Sequence, residues 1–304
     1  MLDALVAGEL YTDLIMSGFD SWPQPGQEAF AREFRRELGG GAAITACGLA
    51  RLGTRSGVFG IAGSDHHAWM AERFADRDVA TEYLAIDAGE PTGFSVAVST
   101  AEDRAFFTYL GANRGFAQAF REAAEERRLH AGHVHLGFAP AWDTAAKLID
   151  AVHANGCTLS VDAGWHPDWL TDPRALGVLS KADLFFPNES EAALMTGRVD
   201  AVRMLDRFAE AGFRMVALKL GPNGAGLLWD GEVHFGVPPA VTVRDTTGAG
   251  DCFDAGFLHA WLNGESAAQC LRTGNVCGAL SCEAHGGVAG FPDRERLARE
   301  LERT

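Results

Sequence analysis

The stretch "RDTTGAGDCFDAGF", Arg244 to Phe257, sets three small residues, Gly248, Ala249 and Gly250, between the carboxylates Asp245 and Asp251. An apolar run follows at once. The spacing of Phe253, Phe257, Ala260 and Trp261 predicts a helix beginning near Ala249. The first-turn N–H groups of such a helix lack intrahelical partners, and its dipole favours negative charge there. Gly248 and Gly250 carry no Cβ, so a phosphate can approach the backbone closely. Asp251 then stands in the first turn beside that anion, placed to take a proton from an attacking hydroxyl. Two readings stay open on these residues alone. One is a glycine turn that starts a helix with a dipole-favoured aspartate. The other is an anion site with a base. No G-x-x-x-x-G-K-[ST] occurs, which excludes a P-loop. No G-x-G-x-x-G follows the first strand, which weighs against a dinucleotide-binding dehydrogenase.

Upstream, short apolar runs alternate with helical periods. "ALVAG" (Ala4–Gly8), "SGVFGIAG" (Ser56–Gly63), "HVHLGF", "CTLSVDAG", "ADLFFPN" and "MVALKLG" read as buried strands. "AITACGLARLG" (Ala43–Gly53) has helical spacing and ends on a C-cap glycine. The alternation predicts an α/β fold, a mostly parallel sheet with helices on both faces. "TGFSVAVSTAEDRAFFTYLG" (Thr92–Gly111) breaks the rhythm as a hairpin around a polar turn at Thr100–Asp103. "EAFAREFRREL" (Glu28–Leu38) reads as a further strand or a helix. These pieces predict one domain over residues 1–304 with a small β lid drawn from about 12–38 and 91–112. Helices are expected near Ala249–Leu262, Ser266–Ala284 and Asp293–Arg303. Ligands of open α/β sheets bind beyond the carboxyl ends of strands. That singles out Asp13, Gly39–Gly41, Asp162, Asn188, Glu191, Gly221 and Asp245–Asp251.

Composition narrows the partners. With 26 Lys and Arg against 41 Asp and Glu, the net charge is −15, which argues against nucleic acid and against a polybasic membrane patch. The six cysteines form no C-x-x-C, so free thiols are expected rather than a disulfide framework or a zinc site. The first residues lack a basic n-region and are interrupted by Asp3, Glu9 and Asp13, unlike a signal peptide. The chain reads as soluble and cytoplasmic.

"DTTGAGDCFDAGFL" closely resembles the C-terminal signature of the ribokinase-like (PfkB-type) carbohydrate kinases. "LGGGAAITACGLARLG" followed by "VFGIAGSD" resembles their N-terminal signature, and "ADLFFPNESEAALMTG" their N-x-x-E segment. "EPTGFSVAV" and "YLGAN" are similar to lid strands, and "ALKLGPNGAG" to the nucleotide-side strand and loop. The resemblance implies a ribokinase-like three-layer sandwich that moves the γ-phosphoryl of ATP to a hydroxyl of a sugar-like molecule. It implies that Asp251 is the general base, with Gly248, Ala249, Gly250 and the Asp251 N–H as anion hole. Asn188 and Glu191 would organise Mg²⁺ through its waters. Lys219, Gly221 and Gly224 would lie near the phosphates, Asn275 near adenine, and Asp13, Gly40 and Gly41 at the sugar. A K⁺ ion is implied beside Asp245, Thr247 and the Ala284–Gly286 turn, held mostly by backbone.

Two positions depart from that pattern. Ile44 stands where many of these kinases have an asparagine that bonds sugar hydroxyls. "VDAGWHPDWL" (Val161–Leu170) differs from the usual Asp-x-Asn segment. Both put the substrate in doubt rather than the chemistry. A sugar or sugar-acid kinase leads, a nucleoside kinase follows, and a non-catalytic sensor is weighed against both. His130, His133 and His135 form H-x-x-H-x-H; a metal site is weighed, and a strand edge with partly buried imidazoles is preferred. Asp65–His67 reads as a surface loop or helix start. Trp165, His166 and Trp169 read as packing or as a stacking platform. Arg121–Arg128 reads as a solvated helix face. Phe106, Phe107 and Tyr109 alternate on a lid strand, so one face is expected to close the pocket and the other to bury in a homodimer.

Overall fold

The fold grows from β1, Leu2–Gly8, whose Ala4, Leu5, Val6 and Ala7 are fully buried. A strand buried on both faces needs a continuous apolar run rather than alternation. Ala4 and Val6 face one core, Leu5 and Ala7 the other. The computed structural model describes residues 1–19, 22, 26–99 and 104–303. Strands follow in chain order: β2 (Tyr11–Ser17), β3 (Glu33–Gly39), β4 (Ser56–Gly63), β5 (Ala80–Asp87), β6 (Phe94–Ser99) and β7 (Arg104–Tyr109). Then come β8 (Ala131–Gly137), β9 (Thr158–Val161), β10 (Leu184–Phe185), β11 (Met215–Lys219), β12 (Ala225–Trp229) and β13 (Glu232–Gly236). The helices are α1 (Gly41–Arg51), α2 (His67–Ala75), α3 (Phe116–Glu125), α4 (Ala145–Ala154), α5 (Pro167–Leu170) and α6 (Ala175–Leu179). The rest are α7 (Glu189–Thr196), α8 (Ala201–Glu210), α9 (Ala249–Leu262), α10 (Ala267–Ser281) and α11 (Arg294–Arg303).

Among the described residues, nine strands form the central sheet in the order β13-β12-β11-β10-β9-β8-β1-β4-β5. It is parallel from β11 to β5 and antiparallel only in β11-β12-β13. Helices α1, α9 and α10 contribute to one core, α3, α4 and α8 to the other, which makes three layers. A second sheet, β3-β2-β6-β7, is the lid. Its inner pair β2-β6 is parallel and its outer pairs are antiparallel. The expected hairpin is therefore present in β6-β7, and its turn at 100–103 lies outside the described residues. The Glu28–Leu38 segment resolves as the strand Glu33–Gly39.

Side chains pin the lid to the main sheet. Asn113 Oδ1 accepts from the Leu10 N–H at 3.0 Å, and its Nδ2 donates to the Leu10 carbonyl at 2.8 Å. Thr92 donates to Asp65 from both N–H and hydroxyl, at 2.9 and 2.6 Å. Thr12 Oγ1 lies 2.9 Å from His66 Nδ1. The Asp65–His67 segment is thus a lid anchor that ends in the start of α2, not a plain surface turn.

The histidine expectation needs correction. β8 lies inside the sheet, between β1 and β9, not at its edge, and His133 and His135 are at most 1% exposed. Burial holds His135 down at about 4 and His133 well below its ordinary range. Both are neutral and bond Ser160 Oγ at 2.8 Å, and His133 also bonds Thr158. No group of metal-ligating side chains occurs among the described residues. All six cysteines are free and buried. Trp169 stacks on Trp142 at 4.1 Å and donates to the Pro140 carbonyl, whereas Trp165 is exposed. No described helix is long and apolar enough to cross a membrane.

Candidate active site

Helix α9 starts where the sequence predicts, because Gly248 takes the left-handed φ of 74° that a side chain resists. Its missing Cβ is also required by packing: one built there would stand 2.8 Å from Ile44 Cδ1 and from Gly287 Cα. Gly41, at the head of α1, packs so closely that a methyl would collide with Asp251 Oδ1. The N-termini of α1 and α9 therefore face each other across bare backbone, with the Asp251 carboxylate between them. A Cβ on Gly250 would touch Lys219 Nζ at 3.5 Å. The Ala249 N–H is turned to the Thr246 carbonyl at 3.2 Å, which leaves Gly250 and Asp251 as the principal first-turn donors.

Beneath this loop sits a charge cluster. The Lys219 ammonium donates to Asp162 Oδ2 at 2.7 Å and to both Asp254 oxygens at 3.2 and 3.3 Å. The side chains of Lys219, Asp162 and Asp254 are 12%, 16% and 0% exposed. Burial opposes Lys219's charge, but the two carboxylates outweigh it and hold the amine protonated. Burial also opposes ionisation of Asp162, yet Lys219 and a hydrogen bond from Asp254 bring it to about 2. Burial pushes Asp254 well up, against the pull of Lys219. Asp251 is raised to about 7, first by burial and then by the Asp162 charge, against the pull of Lys219.

Asn188 and Glu191 form a capping box at α7. Asn188 Oδ1 accepts from the Glu191 N–H at 2.9 Å, and Glu191 Oε2 accepts from the Asn188 N–H at 2.8 Å. The N-x-x-E segment thus folds its own helix start, and what remains for a ligand is Asn188 Nδ2 and Glu191 Oε1. Burial and Asp162 raise Glu191. Asp245 clamps two loops: Oδ1 accepts from the Thr247 N–H and Oδ2 from the Gly286 N–H, both at 2.9 Å. The Ala284 N–H is turned instead to the Ser281 carbonyl at 3.5 Å.

These residues divide between connected clefts. One, of ≈ 470 Å³, holds Gly41, Asp162, Asn188, Glu191, Lys219, Gly221 and Gly248–Asp251. It continues past Gly221 and Gly250 into a cleft of ≈ 660 Å³ walled by Gly224, Pro238, Val241, Phe253 and Asn275. Asn275 Nδ2 is buried there without a hydrogen-bond partner. The other cavity lies under the lid, between Asp13, Arg35, Glu37, Phe106, Ile44 and the 285–289 turn. Gly40, with φ of 93°, bends the chain from β3 into α1 at the junction. Asp13, packed on the bare Cα of Gly39, is raised to about 7 by burial and by Glu37. A wider groove of ≈ 920 Å³ beside α9 and α11 contains none of these side chains.

A family model described as pfkB family carbohydrate kinase matches residues 1–294. The chain belongs to that family. It is similar to an ATP-dependent ribose-1-phosphate kinase of Halopiger xanaduensis, 33% identical across 99% of this chain and 98% of that one. A 2-dehydro-3-deoxygluconokinase of Bacillus subtilis is 31% identical across 88% of this chain and 87% of that protein. Among solved structures, the Arabidopsis thaliana ribokinase complexed with ribose and ATP superposes with a TM-score of 0.83 at 25% identity, covering 99% of both chains. The ribokinase-like fold expected from the signatures is therefore present.

Reading the sequence missed Asp254 altogether, although Asp251 and Asp254 are three apart on one helix and share a face. It also missed Glu37 and Arg35 on the inner face of the lid. Replacing Lys219 by Met should strand Asp162 and Asp254 without their cation and cost about 3–5 kcal/mol of unfolding free energy. Urea denaturation measures this, and a Lys219→Met protein within about 1 kcal/mol of wild type contradicts the charge balance.

Proposed function

We propose that this protein transfers the γ-phosphoryl group of ATP to a hydroxyl of a sugar-like acceptor, with Asp251 as general base. The observation that carries the reading is the place of Asp251, in the first turn of α9 against Gly41, lining the cleft that continues into the nucleotide-sized one. Asp251 takes the acceptor proton as the new O–P bond forms and the bond from phosphorus to the bridging oxygen breaks. The Gly248–Asp251 turn meets the charge on the transferring group with backbone N–H donors. The orphaned Asn275 Nδ2 fits an acceptor atom of adenine, and Gly221, with nothing within 4 Å of where a Cβ would stand, leaves room for phosphates. Glu191 Oε1 and Asn188 suit the water shell of Mg²⁺, an ion that prefers few protein ligands. Bound there, Mg²⁺ would supply charge neutralisation on the phosphates. Asp13 waits for acceptor hydroxyls, since its carboxylate accepts no hydrogen bond from the described residues.

A K⁺ ion is proposed beside the Asp245 clamp, where it would stiffen the turn leading into α9. Turnover in K⁺ should exceed turnover in a choline buffer by about tenfold or more; equal rates in the two buffers remove the ion from the account. A homodimer through the lid is also proposed. The lid face turned from the cavity carries Leu14, Met16, Val96 and Val98, with Phe34 and Phe107 63% and 61% exposed. That is an apolar surface of the sort that marks a contact. Sedimentation should show a dimer at micromolar concentration and a monomer for Phe34→Glu/Phe107→Glu; a monomeric wild type contradicts it.

Asp251→Asn should lower kcat by at least about 100-fold while leaving ATP affinity within a few-fold. Only ionised Asp251 accepts a proton, so kcat/KM should fall about tenfold per pH unit below about 7. A carboxylate raised in the folded state loses stability as pH rises through that range. Asp251→Asn should therefore melt above wild type at pH 8. Retention of more than a tenth of wild-type turnover would falsify the assignment.

A further inference from the structure

The inner face of the lid is laid out in rows. Successive side chains of a strand alternate between faces, and the strand register puts Glu37, Asp13, Ser95 and Thr108 abreast on one of them. The next row outward on the same face is Arg35, Ile15, Ala97 and Phe106. The first row is wholly polar, with two carboxylates and two hydroxyls, Ser95 Oγ lying 3.3 Å from Thr108 Oγ1. It is also the inner one: Asp13 packs on Gly39, two residues from the Gly41 that faces Asp251.

The second row is apolar apart from Arg35, and Ile44 and Val288 also line the cavity. Arg35 is half exposed, and its nearest ion-pair partner, Glu33, is 3.9 Å away. A free sugar presents hydroxyls on every side. Each hydroxyl pressed against Ile15, Phe106 or Ile44 would lose its partner, at a cost that disfavours filling this part of the cavity. A sugar joined to a flat ring satisfies both rows, because its hydroxyls meet carboxylates and its ring meets hydrocarbon.

Resting on the kinase reading above, we infer that the acceptor is a nucleoside. Its ribose hydroxyls lie against Glu37 and Asp13, and its base lies against Phe106 and Ile15 with Ile44 and Val288 on the other side. Arg35, at the rim, donates to acceptor atoms on the base edge. Stacking on one aromatic side chain is worth roughly tenfold or more in binding.

The test is kcat/KM with Mg²⁺ and ATP for adenosine, inosine and cytidine against ribose, fructose and a keto-sugar acid. It is run on the wild type and on Phe106→Ser. The best nucleoside should exceed every non-nucleoside by about 100-fold, and Phe106→Ser should lower that ratio about tenfold, mainly through KM. A sugar or sugar acid that matches or exceeds the best nucleoside overturns the inference and leaves the kinase reading standing. So does a ratio that Phe106→Ser leaves unmoved. Transfer to none of the six overturns both.

Discussion

Two helix N-termini approach each other here with only one carboxylate between them. The contact exists because neither Gly41 nor Gly248 has a Cβ: a methyl on the first would strike Asp251, and on the second Ile44 and Gly287. Everything else at the site is arranged to hold that approach. Gly40 bends the chain at positive φ, Asp245 ties the 244–247 turn to Gly286, and Cys252 Sγ reaches the Gly287 carbonyl at 3.2 Å. The same bareness that lets the helices meet leaves first-turn N–H groups uncovered by side chains.

Charge is balanced one layer deeper. A single buried ammonium, Lys219, faces Asp162 and Asp254 and donates to both. Such a cluster is weak evidence of stability but an effective way to fix position. It fastens the end of β11 to the loop after β9 and to the second turn of α9. Burial first, and then the ionised Asp162, lifts Asp251 to about 7.

Much of this was legible in the residues. "DTTGAGD" before an apolar helical period placed the start of α9 to the residue, and the apolar runs located β1, β4, β8, β9 and β11. Local pattern failed where the answer was non-local. H-x-H on a β-like run does not say whether the strand lies at the edge or inside the sheet, and here Ser160 on the neighbouring strand satisfies both rings. β5 passed unnoticed because its side chains are only partly buried. The β12-β13 hairpin carried a readable sign, Asp230–Gly231 with φ of 46° and 91°, as two-residue primed turns require. Asn188 and Glu191 were read for metal, yet S/T/D/N-x-x-E is first a helix-start pattern, and the structure uses it that way. Asp254 was hidden by being inside a helix, where acidic residues are normally read as solvated.

The central claim is that the head of α9 is where the transferring phosphoryl group is held, with Asp251 against the acceptor hydroxyl. The most direct measurement is a crystal structure with ADP, Mg²⁺, fluoroaluminate and an acceptor. The account predicts fluoroaluminate within hydrogen-bond distance of the Gly250 and Asp251 N–H groups, and the acceptor oxygen within reach of the Asp251 carboxylate. Fluoroaluminate bound away from that turn, or an acceptor oxygen nearer Asp162 or Asp13 than Asp251, would contradict it.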